Sequence, residues 1–262
     1  MESMISKQNN LKSALYDIVV MAKRNILKIK HNPDKLIDVT VIPIFFMIVF
    51  SYLFGGAIAG GVQGYLPIIV PGILIQTLVM SSAATGTQLR EDLDTGVFDR
   101  FKSLPIVRIA PLAGLVVSDI LRYAAAAFFS IGTGFILGWR PEAGWGWLVV
   151  ALLLAIFGAC AISWVFALIG LLSKSASTIS SISTMVTMMM SFLSNAFVPI
   201  DTLPHFLQSV AEHNPITYLV TAFKDLANQG EFTSSASMTL FIGILLVVIV
   251  APLTVKIYNR KI

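Results

Sequence analysis

Few residues in the long apolar runs of this sequence could take part in chemistry. Asp119 and Arg122 stand out, spaced i and i+3 so that a helix sets them one turn apart. Ionised side chains inside an apolar run pair with one another or face a protein interior. Two roles fit: a proton or ion relay, or a mutually neutralised pair fastening its helix to its neighbours. No second acid or histidine falls at similar depth to continue a relay, which favours the pair. His31, His205 and His213 lie outside the apolar runs, Cys160 is the single cysteine, and there is no H-E-x-x-H or paired-aspartate set. These counts rule out a disulfide framework and a cysteine metal cluster and argue against an intramembrane enzyme, so no catalytic or metal-binding residue is assigned.

Two other runs carry polar residues at helical spacing. Thr77, Ser81, Thr85 and Gln88 follow at steps of four, four and three, with Gln76 alongside. Thr184, Thr187, Ser191 and Asn195 follow at steps of three, four and four, with Met188 and Phe192 among them. Hydroxyl and amide groups gain nothing from lipid, so both stripes should face protein or a cavity. Small polar residues also let helices pack closely, and spacing alone leaves both readings open. Flexible methionines beside Phe192 suit a cavity that accepts bulky apolar solutes without strict shape selection.

A third feature is the segment Arg90-Glu91-Asp92-Leu93-Asp94-Thr95-Gly96-Val97-Phe98-Asp99-Arg100-Phe101-Lys102-Ser103-Leu104-Pro105. Its acids come first and its bases last, complementing the dipole of a short helix. Phe98, Phe101 and Leu104 recur every three residues as an apolar ridge rimmed by charge. That is the pattern of a docking knob for another protein. The alternative is a ridge folded back onto the membrane interface.

The elements that hold these residues must be helices in lipid. Of 262 residues, 56% are hydrophobic and 12% charged, about half the charge of a soluble chain. A mean hydropathy of +0.83 leaves too little polar surface to coat a globule. The net charge of +4 flanks the apolar runs, a topology pattern and not a nucleic-acid footprint. Val39 to Leu89 contains no charge and is too long for one crossing, but Gly60-Gly61-Val62-Gln63-Gly64 divides it. The pattern predicts an all-α membrane protein with six transmembrane helices, over about 38–59, 65–88, 109–139, 146–172, 178–199 and 238–258, in one domain of residues 1–262. No secretory signal is expected, because the first long apolar run begins near residue 39.

Ahead of the first span, Leu11 to Lys35 reads as a basic amphipathic helix in the membrane interface, with Leu11, Leu15, Ile18, Val19, Ala22, Ile26 and Ile29 as its apolar stripe. Asn32-Pro33-Asp34 should end it. Fifteen Lys and Arg fall on one side of the six spans and two on the other, which places both termini and the 89–108 loop in the cytoplasm. Residues 200–237 should then face outward as a short helical hairpin, Leu203 to Glu212 and Asn214 to Gly230, its apolar residues packed among the spans. It either caps a path through the helices or forms an outer-surface element without gating duty.

The chain resembles the membrane subunit of type-2 ABC transporters, in particular drug-export permeases of the daunorubicin-resistance type. The matching pieces are Asp92 with Gly96, Asp99-Arg100-Phe101, Ser103-Leu104-Pro105, Phe197-Val198-Pro199-Ile200-Asp201-Thr202-Leu203-Pro204 and Asn214-Pro215-Ile216-Thr217-Tyr218, together with the basic helix ahead of span one. The resemblance covers nearly the whole chain, and Asp92 departs from it where many members have Glu. It implies that residues 90–105 form a coupling helix (Arg90, Glu91, Asp92, Gly96, Phe98, Asp99, Arg100, Phe101, Leu104 and Pro105) seated on a separate ATPase. ATP and magnesium would be bound there, since this sequence has no G-x-x-x-x-G-K-[ST] loop and binds no cofactor itself. Two ATPase copies and a second permease copy are implied, with spans two and five near the twofold axis. The expected activity is ATP-driven export of an amphipathic small molecule, drug or lipid-like, across the cytoplasmic membrane. Export of a polysaccharide or teichoic-acid-like polymer, and an ATPase-independent channel or sensor, are the alternatives.

Overall fold

The computed structural model describes residues 11–30, 33–97, 106–107 and 109–261. Among these residues the fold is all-helical, with nine α-helices in chain order: α1 (Leu11–Lys30), α2 (Pro33–Ala59), α3 (Val62–Asp94), α4 (Ala110–Leu137), α5 (Trp145–Leu172), α6 (Ala176–Phe192), α7 (His205–Glu212), α8 (Pro215–Lys224) and α9 (Ser234–Lys261). α8 runs on as a single π-helical turn, Asp225–Gln229, and Gly230 closes it at φ 72°, as its position in the sequence predicts.

Among the described residues, five helices are long and apolar enough to cross a membrane: Ile37–Ala59, Val62–Asp94, Ala110–Leu137, Trp145–Leu172 and Ser234–Lys261. The run expected to cross at 178–199 is shorter. α6 stops at Phe192 after 17 residues, about 26 Å of helix against a hydrocarbon core of about 30 Å. The cause is local. Ser194 Oγ donates to the Ser191 carbonyl and accepts from Ala196 N–H, offering the backbone a turn in place of the helical ladder.

α3 is the axle of the bundle, buried along most of its length and packed against α2, α4, α5, α6 and α8. Two glycines set its crossing with α5. A Cβ at Gly86 would lie 2.1 Å from the Phe166 carbonyl oxygen, and one at Gly170 would lie 2.4 Å from the Gly86 oxygen. Both obstacles are backbone, so neither can rotate away. Gly86→Val should therefore lose most of its folded protein in mild detergent, whereas Gly132→Ala, with nothing within 4 Å of its new Cβ, should match the parent. Equal monodisperse yields of the two variants on size exclusion would show that the α3–α5 crossing tolerates separation.

The basic helix and the first span are separate helices, divided around the Asn32-Pro33-Asp34 segment. α1 is described to Lys30, and Pro33 opens α2, a position where its missing N–H costs nothing. α1 also has two apolar faces where one stripe was expected. Met21 and Ala22 are buried on α4, with Gly114 admitting Met21, while Leu15, Tyr16, Val19, Val20 and Leu27 point away from the protein.

The hairpin after α6 has unequal arms. α8 buries Ile216, Leu219, Val220 and Phe223 in the main core, but α7 leaves Phe206 and Val210 exposed. At this end Phe50 and Phe192 each stack on Phe197 at 5.0 Å, and Tyr65 donates to the Phe197 carbonyl at 2.6 Å. α1 and the last turn of α9 occupy the opposite end, with Arg24, Lys28, Arg90 and Lys261; the two ends are called the hairpin end and the basic end below.

Candidate functional site

The ionisable residues of α4 are paired. Asp119 Oδ1 lies 2.7 Å from Arg122 Nη2, and both side chains are almost wholly buried. The pair is fastened to α3: Thr85 donates to Asp119 Oδ2 at 2.5 Å, and Arg122 Nη2 donates to the Ser81 carbonyl at 2.5 Å. Arg122 Nη2 also lies 3.4 Å from Thr85 Oγ1. Two residues of the predicted stripe, Ser81 and Thr85, thus satisfy the charges of the neighbouring helix. Charge balance and hydrogen bonds together make such a pair tolerable in an apolar interior.

The remaining stripe residues divide between packing and an open space. A cavity of about 330 Å³ opens beside Arg122 towards the basic end. α3 contributes Thr77, Ser81 and Gln88, α6 contributes Thr184, and α2 contributes Asp38, Val39 and Ile42. Gln76 is buried with its Nε2 4.0 Å from Met188 Sδ, and Gln88 lies 3.5 Å from the Asn25 side chain of α1. On α6 the inward line is Ile179, Ser183, Thr187 and Ser191, at steps of four. Thr187 and Ser191 are therefore buried against α3, as expected, whereas Thr184 sits to one side at the cavity and Phe192 is exposed. Asn195 does not extend the stripe, because the helix has ended and its side chain turns to the hairpin. Ser183 was missed; a strict four-residue register from Ile179 would have found it.

Asn195 belongs to a polar clamp that holds the hairpin to the end of α6. Its Nδ2 donates to Thr221 Oγ1 at 2.7 Å, and Lys224 Nζ donates to its carbonyl at 3.0 Å. Asn214 caps α8 through Ile216 N–H and donates to the Met190 and Leu193 carbonyls at 2.7 and 2.8 Å. Burial lowers the Lys224 ammonium from the usual 10.5 to about 8, with Asp225 pulling weakly the other way. Between those two values the unfolded chain holds a proton that the folded chain has released. Stability should therefore rise with pH across that window. The melting temperature of the purified protein should increase between pH 7.5 and 9.5, and a Lys224→Met variant should lack that increase. An equal increase in the variant would place the titration elsewhere.

Of the residues expected to contact a partner, Arg90 and Asp92 are engaged within this chain. The expected 90–105 helix is not separate at its start: α3 continues through Asp94, with Thr95 as its C-cap and Gly96 at φ 66° as its stop. Arg90 donates to the Ser173 carbonyl at 2.7 Å and pairs with Asp94 at 2.5 Å. Asp92 is buried between Arg24 at 3.2 Å and Lys28 at 2.5 Å, so this acid ties α1 to the end of α3. Glu91 lines the cavity. Phe98, Asp99, Arg100, Phe101, Leu104 and Pro105 lie outside the described residues. Beyond them, Asp17 of α1 accepts from Val107 N–H at 3.1 Å.

Residues 16–227 match the family model described as the ABC-2 type transporter. The chain is 36% identical over 238 residues to the daunorubicin resistance ABC transporter permease protein of Streptomyces coeruleorubidus, covering 91% of this chain and 84% of that one. A probable doxorubicin resistance ABC transporter permease protein of Mycobacterium tuberculosis is 24% identical over 259 residues, 97% of this chain and 92% of its own. An inner membrane transport permease of Escherichia coli is 24% identical over 199 residues, 72% of this chain and 75% of its own.

Proposed function

This chain belongs to the ABC-2 type transporter family, and from that premise we propose that it is the membrane subunit of an ATP-driven exporter of apolar or amphipathic drugs. It is a transporter component and not an enzyme; a permease of this family works with an ABC ATPase. ATP and magnesium belong to that partner, of which two copies act on a homodimer of this chain. The chain forms one transmembrane domain with six crossings in the cytoplasmic membrane. α6 is the fifth crossing, completed by the 193–199 turn that the hairpin holds in place. Both termini and the basic end are cytoplasmic, in keeping with the fifteen-to-two distribution of Lys and Arg. The hairpin partly re-enters the membrane and caps the outer end of the solute path.

The observation that carries this reading is a cavity between α3 and α6 lined by Thr77, Ser81 and Gln88 of the first stripe and by Thr184 of the second. Its volume of about 330 Å³ suits a small molecule better than a polymer chain. The relatives whose names mention daunorubicin and doxorubicin make those drugs the first solutes to try. The permease and its ATPase, reconstituted in liposomes, should show drug-stimulated ATP hydrolysis and ATP-dependent drug movement. Absence of both for every apolar drug tried would remove the export reading. Orientation is checked with single cysteines in a Cys160→Ala background. Those at Glu142 and Glu231 should react with impermeant maleimide from outside intact cells, and those at Thr95 and Lys174 should not. Labelling of Thr95 from outside would invert the topology.

A further inference from the structure

The outward face of α1 carries Leu15, Tyr16, Val19, Val20 and Leu27, which are 42% to 71% exposed among the described residues. The depth of the helix says what they meet. Met21, on the opposite face, packs on Gly114, four residues into α4, so α1 lies about 6 Å along that apolar helix. Ile109 and Val117 of α4 are exposed just before and just after that level, where the side chains of an apolar span face lipid. Pro33 opens α2 and the next span begins at Ile37, about 6 Å further on, which holds the last described turn of α1 beside the membrane as well. A cytosolic partner would have to displace lipid to cover a face at that depth.

Charge selects among lipids. Lys23 is exposed within the apolar face, and Arg24 and Lys28 line one edge of it. Those two grip a single carboxylate: Arg24 spans both oxygens of Asp92 at 3.2 and 3.3 Å, and Lys28 reaches Oδ1 at 2.5 Å. Asp92 balances one of the two charges. The Lys28 ammonium has three donors, of which Asp92 takes one, and 40% of its side chain is exposed. One ammonium can thus hold Asp92 and a phosphate oxygen together. The only acid of α1, Asp17, lies two turns before Arg24 and accepts from Val107 N–H at 3.1 Å. We propose that α1 docks on anionic phospholipid, its apolar face among the acyl chains, Lys23 extending along them to the headgroups, and Lys28 joining a headgroup phosphate to Asp92 of α3. The lipid then fixes the helix that holds both Asp92 and Val107. This contact is independent of the export reading, because it is measured without drug or ATP.

The test places the purified full-length permease in lipid nanodiscs with one cysteine, Val20→Cys in the Cys160→Ala background, carrying the fluorophore NBD. Phosphatidylglycerol with a nitroxide near the top of its acyl chain should quench the fluorophore. Half of the quenching should need a mole fraction at least about fivefold below that of the matching phosphatidylcholine, the advantage of one cation at an anionic surface. Lys28→Gln and Lys23→Gln should each narrow that gap by up to about fivefold. Lys256→Gln, which removes the same charge from an exposed position on α9, should leave it unchanged. Lys23 is exposed and outside the grip on Asp92, so its variant decides the matter should Lys28→Gln fold poorly. Equal quenching by the two lipids, quenching by neither, a folded Lys28→Gln variant with the parental gap, or equal narrowing by Lys256→Gln would overturn the proposal. Quenching that vanishes when the ATPase subunit is bound would overturn it too, and would assign the face to that subunit.

Discussion

Asp119→Asn should abolish most of the folded permease, and Arg122→Gln should do so nearly as completely. Each change strips a buried ion of its counter-charge, a loss of about 3–5 kcal/mol in proteins whose whole stability is about 5–15 kcal/mol. The two losses should differ in a way that identifies their cause. A carboxyl left alone in an apolar interior can take up a proton and keep its hydrogen bond from Thr85, whereas a guanidinium cannot shed its charge. Asp119→Asn should therefore be the worse variant, and acidic buffer should rescue Arg122→Gln but not Asp119→Asn. Asp119→Leu combined with Arg122→Met should fold about as well as the parent, because exchanging a buried pair for apolar side chains is often neutral or favourable. The measure is the monodisperse fraction on size exclusion after extraction in mild detergent. If both single variants fold normally yet transport fails, the pair is a relay and its structural role is secondary.

That pair illustrates what was legible in the sequence and what was not. The i,i+3 spacing announced a neutralised pair, but only the fold reveals that Ser81 and Thr85 of α3 serve it. One stripe was thereby divided between packing and cavity. Hydropathy located the five long apolar helices among the described residues, because lipid leaves one solution for an apolar run of about 20 residues. It misplaced the end of α6, because the hydroxyl of Ser194 reroutes the backbone over a single turn, a signal too local for a hydropathy window. Asp92 was placed in the coupling helix by the family resemblance, and nothing in the sequence pattern announced that it is also gripped within this chain. Its partners, Arg24 and Lys28, stand 68 and 64 residues away, and no periodicity reports a contact at that separation.

Phe101→Ala should release the ATPase from the permease, or uncouple its hydrolysis from transport, while the permease inserts normally. A fully buried Phe is worth about 1.5–3 kcal/mol against a partner. Losing it weakens the contact by about one to two decades at about 1.4 kcal/mol per tenfold. Arg100→Glu should act in the same direction, more mildly if that charge sits on a solvated rim. The described residues on either side of the ridge give the prediction a mechanical setting. α3 stops at Gly96 just after Asp92 is gripped by Arg24 and Lys28, and the chain resumes where Val107 is held by Asp17. Both flanks of the ridge are thus tied to α1, which itself lies on α4. A push on the ridge has a rigid path into the bundle through α1, so Asp92→Asn should lower drug-stimulated hydrolysis without releasing the ATPase. Asp92→Asn thus separates transmission from docking, which Phe101→Ala removes together. Co-purification in mild detergent reports docking, and ATP hydrolysis with and without drug reports transmission. Full assembly and full export in Phe101→Ala and Arg100→Glu alike would mean that residues 98–105 are not the coupling element. The ATPase would then have to engage another part of the basic end, of which the exposed face of α1 is the first to test.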